Sequence, residues 1–192
     1  MEEDNKSDQD VPAVNYIPPA PKSVTDILNQ DKGDESLEKY KETLLGAAPN
    51  QVIVDHNDKR VVLLKTIAVV VAGRPDMVMD LSNPDNLHAD TFKLKEGAHY
   101  RLKFEFYVQR EIVTGLKYVH KVHRMGAQIA SETLMVGSYA PKAELQTYLS
   151  PIEEAPSGML HRATYKIKSK FTDDDGHDWL SWKWALEIAK DW

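Results

Sequence analysis

Residues 100–108, Tyr-Arg-Leu-Lys-Phe-Glu-Phe-Tyr-Val, alternate large apolar side chains with charged ones along most of their length. Alternation with a period of two places one set of side chains on the buried face of a β-strand and the other set in water. The same period recurs at residues 165–171, where lysines alternate with mostly apolar residues, and at residues 182–189, where Lys183, Ala185, Glu187 and Ala189 alternate with large apolar residues. These three segments predict strands with one buried and one solvated face.

Other parts of the chain fit around these strands. Residues 61–71 are almost wholly apolar, which predicts a long strand covered on both faces. Further short strands are predicted at residues 77–81, 92–94, 116–123 and 133–139. Turn residues separate the segments, and about eight or nine short strands with such spacing predict an antiparallel β-sandwich without long helices.

Charge and aromatic residues divide the 192-residue chain into two parts. Residues 1–49 contain eleven acidic and five basic side chains, whereas residues 50–192 contain nineteen of each. All four phenylalanines and all four tryptophans lie in the second part. We therefore predict a flexible acidic regulatory arm at residues 1–49 and a folded domain at residues 50–192. An acidic arm without a matching basic face argues against binding to nucleic acid.

Two short amphipathic helices are predicted in the arm. Ser23 begins the first helix, and the second begins at Asp34 or Ser36 and ends at Gly46. Helices of this length are marginal in isolation. They either dock on their own domain or fold on a partner, and the charged, proline-interrupted surroundings favour a partner.

Residues with catalytic or metal-binding potential do not form a recognised motif. The chain has no cysteine and none of the glycine-rich, serine or histidine signatures of common enzyme sites. His120 and His123 project to opposite faces of a strand, so they cannot share a metal. Residues 173–176 are predicted to form a hairpin turn rather than a calcium loop. Glu153 and Glu154 lie in a turn-like stretch that offers no desolvation. We expect no enzyme activity, no cofactor and no bound metal.

The amino-terminal residues and the hydropathy of the chain indicate its location. Residues 1–10 contain five acids where a secretory signal would be apolar, and no apolar stretch approaches the ~18 residues of a membrane span. We expect a cytoplasmic protein.

The crowding of aromatic residues near the carboxyl end admits two interpretations. Trp182 and Trp184 share one inner face, where Ile167 and Phe171 oppose them. These side chains either fill a packed core or hold the sheets apart and leave a ligand slot. Composition alone does not separate the two interpretations.

Several short segments together resemble one known family, the Rho GDP-dissociation inhibitors. They are Asn15-Tyr16, Asp34-Glu35-Ser36-Leu37, Lys39-Tyr40-Lys41, Leu44-Leu45-Gly46, Leu94-Lys95-Glu96-Gly97, Arg110-Glu111-Ile112-Val113, Met135-Val136-Gly137-Ser138-Tyr139, Glu153-Glu154-Ala155-Pro156, Phe171-Thr172-Asp173-Asp174-Asp175 and Leu180-Ser181-Trp182. The resemblance runs in order from about Asn15 to Trp192. It implies an immunoglobulin-like antiparallel β-sandwich preceded by a flexible arm with two short helices.

The resemblance also implies a function. Members of such a family bind prenylated Rho-family GTPases of the Rho, Rac and Cdc42 kinds in a 1:1 complex, inhibit GDP dissociation, extract the GTPase from membranes and keep it in the cytosol. Carried over by position, the geranylgeranyl-binding residues are Ile67, Phe92, Tyr100, Ile112, Ile167, Trp182 and Trp184. The GTPase-binding residues are Asp34, Ser36, Tyr40, Asp174 and Asp175, and Ser23 is a possible phosphorylation site.

Two other functions fit a similar sandwich. A general shuttle for prenyl-lipid cargo would need the slot but not the arm, and it would have no effect on nucleotide exchange. A glycan-binding or glycan-active sandwich would use exposed aromatic rings and carboxylates instead.

Overall fold

The computed structural model describes residues 52–192. Its strands are β1 (Val62–Val70), β2 (Met77–Asp80), β3 (Thr91–Lys95), β4 (His99–Val108), β5 (Val113–Arg124), β6 (Ala127–Tyr139), β7 (Lys142–Leu149), β8 (Glu153–Glu154), β9 (Thr164–Thr172) and β10 (Asp178–Ala189). Two short 3-10 helices, Pro84–Asn86 and Met159–His161, lie in the connections. The predicted arm and the boundary at residue 50 lie outside these described residues.

The strands form two five-stranded sheets packed as a sandwich. The first sheet has the order β2-β1-β4-β7, with β8 paired to the start of β4, and the second has the order β3-β10-β9-β5-β6. The predicted immunoglobulin-like sandwich is confirmed. One pair differs from the expected antiparallel arrangement, because β3 runs parallel to β10. No helix among residues 52–192 is long and apolar enough to cross a membrane.

The alternation that predicts β4 is present in its burial pattern. Leu102, Phe104, Phe106 and Val108 are each at most 3% exposed, whereas the side chains between them are only partly covered. Phe104 contacts the Tyr118 ring of the opposite sheet at a centroid distance of 4.6 Å. Burial of each such aromatic ring contributes about 1.5–3 kcal/mol, so this layer holds the two sheets together.

β1 is buried on both faces, as its apolar sequence predicts. Val62, Leu64 and Ile67 on its core side are at most 2% exposed, and so are Leu63 and Ala68 on the other side. β1 lies between β2 and β4 in the first sheet. The burial of both faces explains why polar residues are so few in this strand.

A buried glutamine fixes the segment that leads into the sandwich. The Gln109 side chain is fully buried at the end of β4. Its Oε1 accepts hydrogen bonds from the backbone N–H groups of Val54 and Asp55, at 2.9 and 3.0 Å. Its Nε2 donates to the backbone carbonyls of Asp58 and Arg60, at 2.9 and 2.7 Å. One side chain therefore satisfies four backbone groups of residues 54–60.

We expect Gln109→Met to lower the free energy of unfolding by about 2 kcal/mol, because four backbone groups lose their partner while the volume is kept. Urea denaturation and amide exchange at residues 54 and 55 measure the effect. The exposed Gln128→Met is the control and should stay within about 0.5 kcal/mol of the parent. Equal stability of the two variants would contradict a clamping role for Gln109.

Candidate functional site

A cavity of about 240 Å³ opens between the two sheets at the end where β8 pairs with β4. Both sheets contribute to its wall, mostly with apolar side chains. The lining residues are Tyr100, Leu102, His120, Val122, Ile129, Glu132, Glu153, Glu154, Pro156, Tyr165, Ile167, Trp184, Leu186 and Ile188. The cavity is thus an apolar space with acidic residues in its wall.

The acidic groups come from β6 and β8. The Tyr100 hydroxyl donates a hydrogen bond to Oε2 of Glu153 at 2.7 Å. Burial, followed by the neighbouring Glu153 carboxylate, raises the pKa of Tyr100 well above its ordinary value, so the ring remains a neutral donor. The sequence predicts that Glu153 and Glu154 lie in a turn-like stretch. In the structure they instead form the short strand β8.

A buried serine hydroxyl fixes the position of Trp184, which lines the cavity. Nε1 of Trp184 donates a hydrogen bond to Oγ of Ser169 at 2.8 Å, and the Tyr118 hydroxyl lies 2.8 Å from the same oxygen. Ser169 is 3% exposed and Tyr118 is fully buried. Burial raises the pKa of Tyr118. Phe92 packs on the Trp184 ring at 5.6 Å between centroids. The indole is therefore fixed by contacts on two sides.

His120 is the one histidine of residues 52–192 that is buried. Its ring stacks on Tyr118 at 5.1 Å, and Nδ1 has no hydrogen-bond partner among the described residues. Nε2 lies 3.9 Å from Oε2 of Glu132. Burial lowers the pKa of His120 below its ordinary value and outweighs the opposite effect of the Glu132 and Glu153 carboxylates. The neutral imidazole is therefore the form that the fold favours.

We expect part of the acid sensitivity of the fold to come from His120. Its pKa is lower in the folded state than the ~6.5 of an unfolded histidine, so below about pH 6.5 the unfolded chain binds a proton that the folded chain resists. Stability should therefore fall as the pH decreases from 7 to 5. Urea midpoints should fall less over this range in His120→Gln than in the parent. The exposed His88→Gln should behave like the parent, and an unchanged pH profile in His120→Gln would contradict this explanation.

Three of the predicted prenyl-binding residues, Tyr100, Ile167 and Trp184, line the cavity. Phe92 lies behind Trp184. Trp182 lies outside the cavity lining and stacks on Tyr118 at 5.8 Å.

The remaining two predicted prenyl-binding residues also lie outside the lining. Ile67 is fully buried in the packed core, and Ile112 is half-buried in the connection between β4 and β5. The structure thus contains both arrangements that the sequence left open: a packed core at one place and a cavity at another.

The predicted GTPase contacts occupy a different part of the molecule. Asp174 and Asp175 lie in the hairpin between β9 and β10, at the opposite end of these strands from the cavity. Asp174 forms an ion pair with Lys117. Asp173 organises the hairpin as predicted for residues 173–176, since its carboxylate accepts from the backbone N–H of His177 at 2.9 Å and from the Trp179 indole at 3.0 Å. Asp34, Ser36, Tyr40 and Ser23 lie outside the described residues.

Sequence reasoning missed some of the cavity residues. Leu186 and Ile188 continue the alternation that begins at Trp182, so the pattern already placed them on the inner face. His120 lies two residues after Tyr118 on β5, so the alternation of this strand could have placed both side chains on the inner face. Glu132 carries no such signal because its neighbours on β6 are largely exposed and polar.

The fold and the cavity define a β-sandwich protein with an apolar inter-sheet cavity beside acidic groups. The family described as RHO protein GDP dissociation inhibitor matches residues 1–191. The probable rho GDP-dissociation inhibitor of Caenorhabditis elegans is 48% identical over 178 residues, 92% of each chain. Rho GDP-dissociation inhibitor 1 of Homo sapiens is 47% identical over 188 residues, 97% of this chain and 91% of the human protein.

A more distant relative extends the match over the whole chain. The putative rho GDP-dissociation inhibitor 1 of Dictyostelium discoideum is 37% identical over 198 residues, which cover 100% of this chain and 98% of that protein. The chain belongs to the family of Rho GDP-dissociation inhibitors. Proteins of this family are regulators rather than catalysts.

Proposed function

We propose that this protein binds prenylated Rho-family GTPases in a 1:1 complex through two attachments: the inter-sheet cavity for the geranylgeranyl group and the acidic arm for the GTPase surface. It would thereby inhibit GDP dissociation, extract the GTPase from membranes and retain it in the cytoplasm. The observation that carries the proposal is the apolar cavity lined by Tyr100, Ile167 and Trp184.

Energetic comparison supports a lipid as the ligand. Each buried CH₂ group contributes about 0.8 kcal/mol, so a twenty-carbon chain gains a gross ~10–16 kcal/mol in a bilayer or in a protein slot. Extraction therefore requires a slot that nearly matches the membrane. The cavity of about 240 Å³ is smaller than the ~300–1,000 Å³ typical of ligand pockets. A whole geranylgeranyl group must therefore widen the cavity as it binds.

The carboxylates of the cavity suit the part of the GTPase that adjoins its lipid. Prenylated proteins commonly add a polybasic segment, which anionic lipid attracts by ~1 kcal/mol per Lys or Arg. Glu132, Glu153 and Glu154 offer negative charge beside the cavity, where such a segment would emerge. Asp174 and Asp175, at the other end of β9, would instead meet basic groups on the body of the GTPase.

The arm supplies the second attachment in this proposal. Asp34 and Ser36 would hydrogen-bond to the effector-facing switch of the GTPase, with Tyr40 packed against it. Once the lipid is held, binding of the arm becomes intramolecular and gains from a high effective concentration. A phosphate on Ser23 would add negative charge to an already acidic segment and disfavour docking.

A prenyl-lipid shuttle without effect on nucleotide exchange is the alternative. The cavity alone fits that function equally well. The two functions differ in the role of the arm, which nucleotide-release measurements test directly.

We expect Ile167→Phe to reduce extraction of a geranylgeranylated Rho-family GTPase from liposomes at least tenfold, or about 1.4 kcal/mol of affinity. The larger ring occupies cavity space, so stability should fall by less than about 1 kcal/mol. Ile67→Phe is the matched control, because Ile67 lies in packed core and overpacking there costs about 1–3 kcal/mol of stability.

Energy transfer from Trp184 to a dansyl-labelled prenyl chain provides a second measurement for the same variants. Full extraction by the Ile167→Phe protein, or absence of transfer in the parent, would place the lipid elsewhere.

We expect deletion of residues 1–49 to abolish inhibition of GDP release while much of the prenyl binding remains. Release of fluorescent GDP from prenylated and unprenylated GTPase measures the first property, and binding of a prenylated peptide measures the second. The narrower Asp34→Ala, Ser36→Ala variant should weaken GTPase binding with little change in thermal midpoint. A truncated protein that inhibits as well as the full chain would favour the shuttle.

A further inference from the structure

Three lysines oppose one another directly across neighbouring strands of the second sheet. Lys168 on β9 is in register with Lys121 on β5 and with Lys183 on β10. All three are exposed, and within residues 52–192 none of them forms a salt bridge. Like charges directly opposite each other destabilise a sheet. The row is therefore unfavourable for folding and suggests a role in binding.

Most other charged side chains on this face of the sheet are also basic. Lys166 and Lys170 flank Lys168 on the same face of β9, and only Lys170 has a carboxylate partner among the described residues, Asp178 at 2.7 Å. Glu187 stands toward the edge, in register with Lys93. The equal numbers of acids and bases in residues 50–192 conceal this separation, so the expectation that the chain lacks a basic face is wrong.

An apolar rim lies beside the cavity at one end of the same sheet. We define it as Met125, Ile129, Met159 and Leu160, which are 97%, 54%, 76% and 78% exposed. Ile129 lines the cavity, and the Arg124 side chain, next to Met125, donates a hydrogen bond to the Leu160 carbonyl. Single exposed apolar residues are common, but a group around one opening marks a binding surface.

The conformation of Met125 strengthens this interpretation. Met125 and Gly126 form the two-residue turn between β5 and β6, with φ angles of 50° and 88°. Such turns favour Asn-Gly, because asparagine tolerates a positive φ better than a large apolar residue does. The turn therefore presents a methionine to solvent at a position where asparagine would suit the backbone better.

We define the lysine face as Lys121, Lys166, Lys168, Lys170 and Lys183. We propose that the lysine face and the apolar rim form one docking surface for an anionic lipid bilayer. The lysines would lie at the headgroups, while the rim would enter the boundary with the acyl chains. The cavity would then lie at the membrane surface, where Glu132, Glu153 and Glu154 would face the basic segment beside the prenyl group rather than the lipid. This proposal rests on the proposed function for its purpose, but docking itself needs no GTPase.

The combination of the two features favours a bilayer over other anionic partners. A nucleic acid would use the lysines but offers no apolar layer for the rim. The acidic arm of this chain has the required charge, but an arm that covers the lysines would prevent vesicle binding by the full-length protein. A measurement of vesicle binding therefore distinguishes a bilayer from the acidic arm as the partner of the lysines.

The first experiment measures co-sedimentation of the full-length protein with vesicles of phosphatidylserine and phosphatidylcholine, without GTPase. We expect binding that is lost on pure phosphatidylcholine and weakened at least tenfold by Lys121→Gln, Lys168→Gln, Lys183→Gln. The matched control is Lys59→Gln, Lys65→Gln, Lys142→Gln, which removes the same charge outside this face and should remain within twofold of the parent. Failure of the parent to bind, or equal losses in both triple variants, would overturn the proposal.

The second experiment tests the rim. Met125→Asn should leave the thermal midpoint unchanged or raise it, and with Leu160→Asn it should weaken vesicle binding at least threefold. Binding of a prenylated peptide in solution should stay within twofold of the parent. Unchanged vesicle binding would remove the rim from the surface and overturn the proposal. If the parent protein does not bind the prenylated peptide, the proposed function of the cavity is contradicted, while the docking result is unaffected.

Discussion

The buried hydroxyl of Ser169 is the contact on which the arrangement of the sandwich interior depends. It holds Tyr118 from β5 and Trp184 from β10 at 2.8 Å each, across three adjacent strands of one sheet. On one side of this contact, Tyr118 packs against Phe104 and closes the core. On the other side, Trp184 forms a wall of the cavity. The geometry of this contact is strict, because a buried hydrogen-bond donor without a partner would lower the stability of the fold.

The sequence was sufficient to predict which side chains face inward. Parity along β4, β9 and β10 selects Tyr100, Ile167 and Trp184, and all three line the cavity. Parity equally selects Trp182, which packs against Tyr118 instead. Trp184 and Trp182 differ because the two sheets are separated at one end of the sandwich and packed together further along. The separation of the sheets depends on contacts across the whole fold and not on local sequence. Long-range contacts of this kind leave no periodic signal.

Other features escaped prediction for identifiable physical reasons. β7 is largely exposed, so its sequence lacks the alternation that burial imposes. Gln109 looks like an ordinary polar residue until residues 54–60 are folded against it. The lysine row depends on the register of β9 with its neighbour β10 and with the more distant β5, and a balanced overall charge conceals it. In each case the sequence shows the residue types but not which segments of the chain lie beside each other in the fold.

The position of β10 has a consequence for how the chain folds. This last strand of the sandwich inserts between β3 and β9, and its partner β3 was formed almost half the chain earlier. Non-local pairing of this kind raises the contact order and slows folding. Until β10 is in place, β3 and β9 expose unpaired backbone edges, which are templates for aggregation. A ribosome-bound chain that lacks β10 would therefore be a natural client for chaperones.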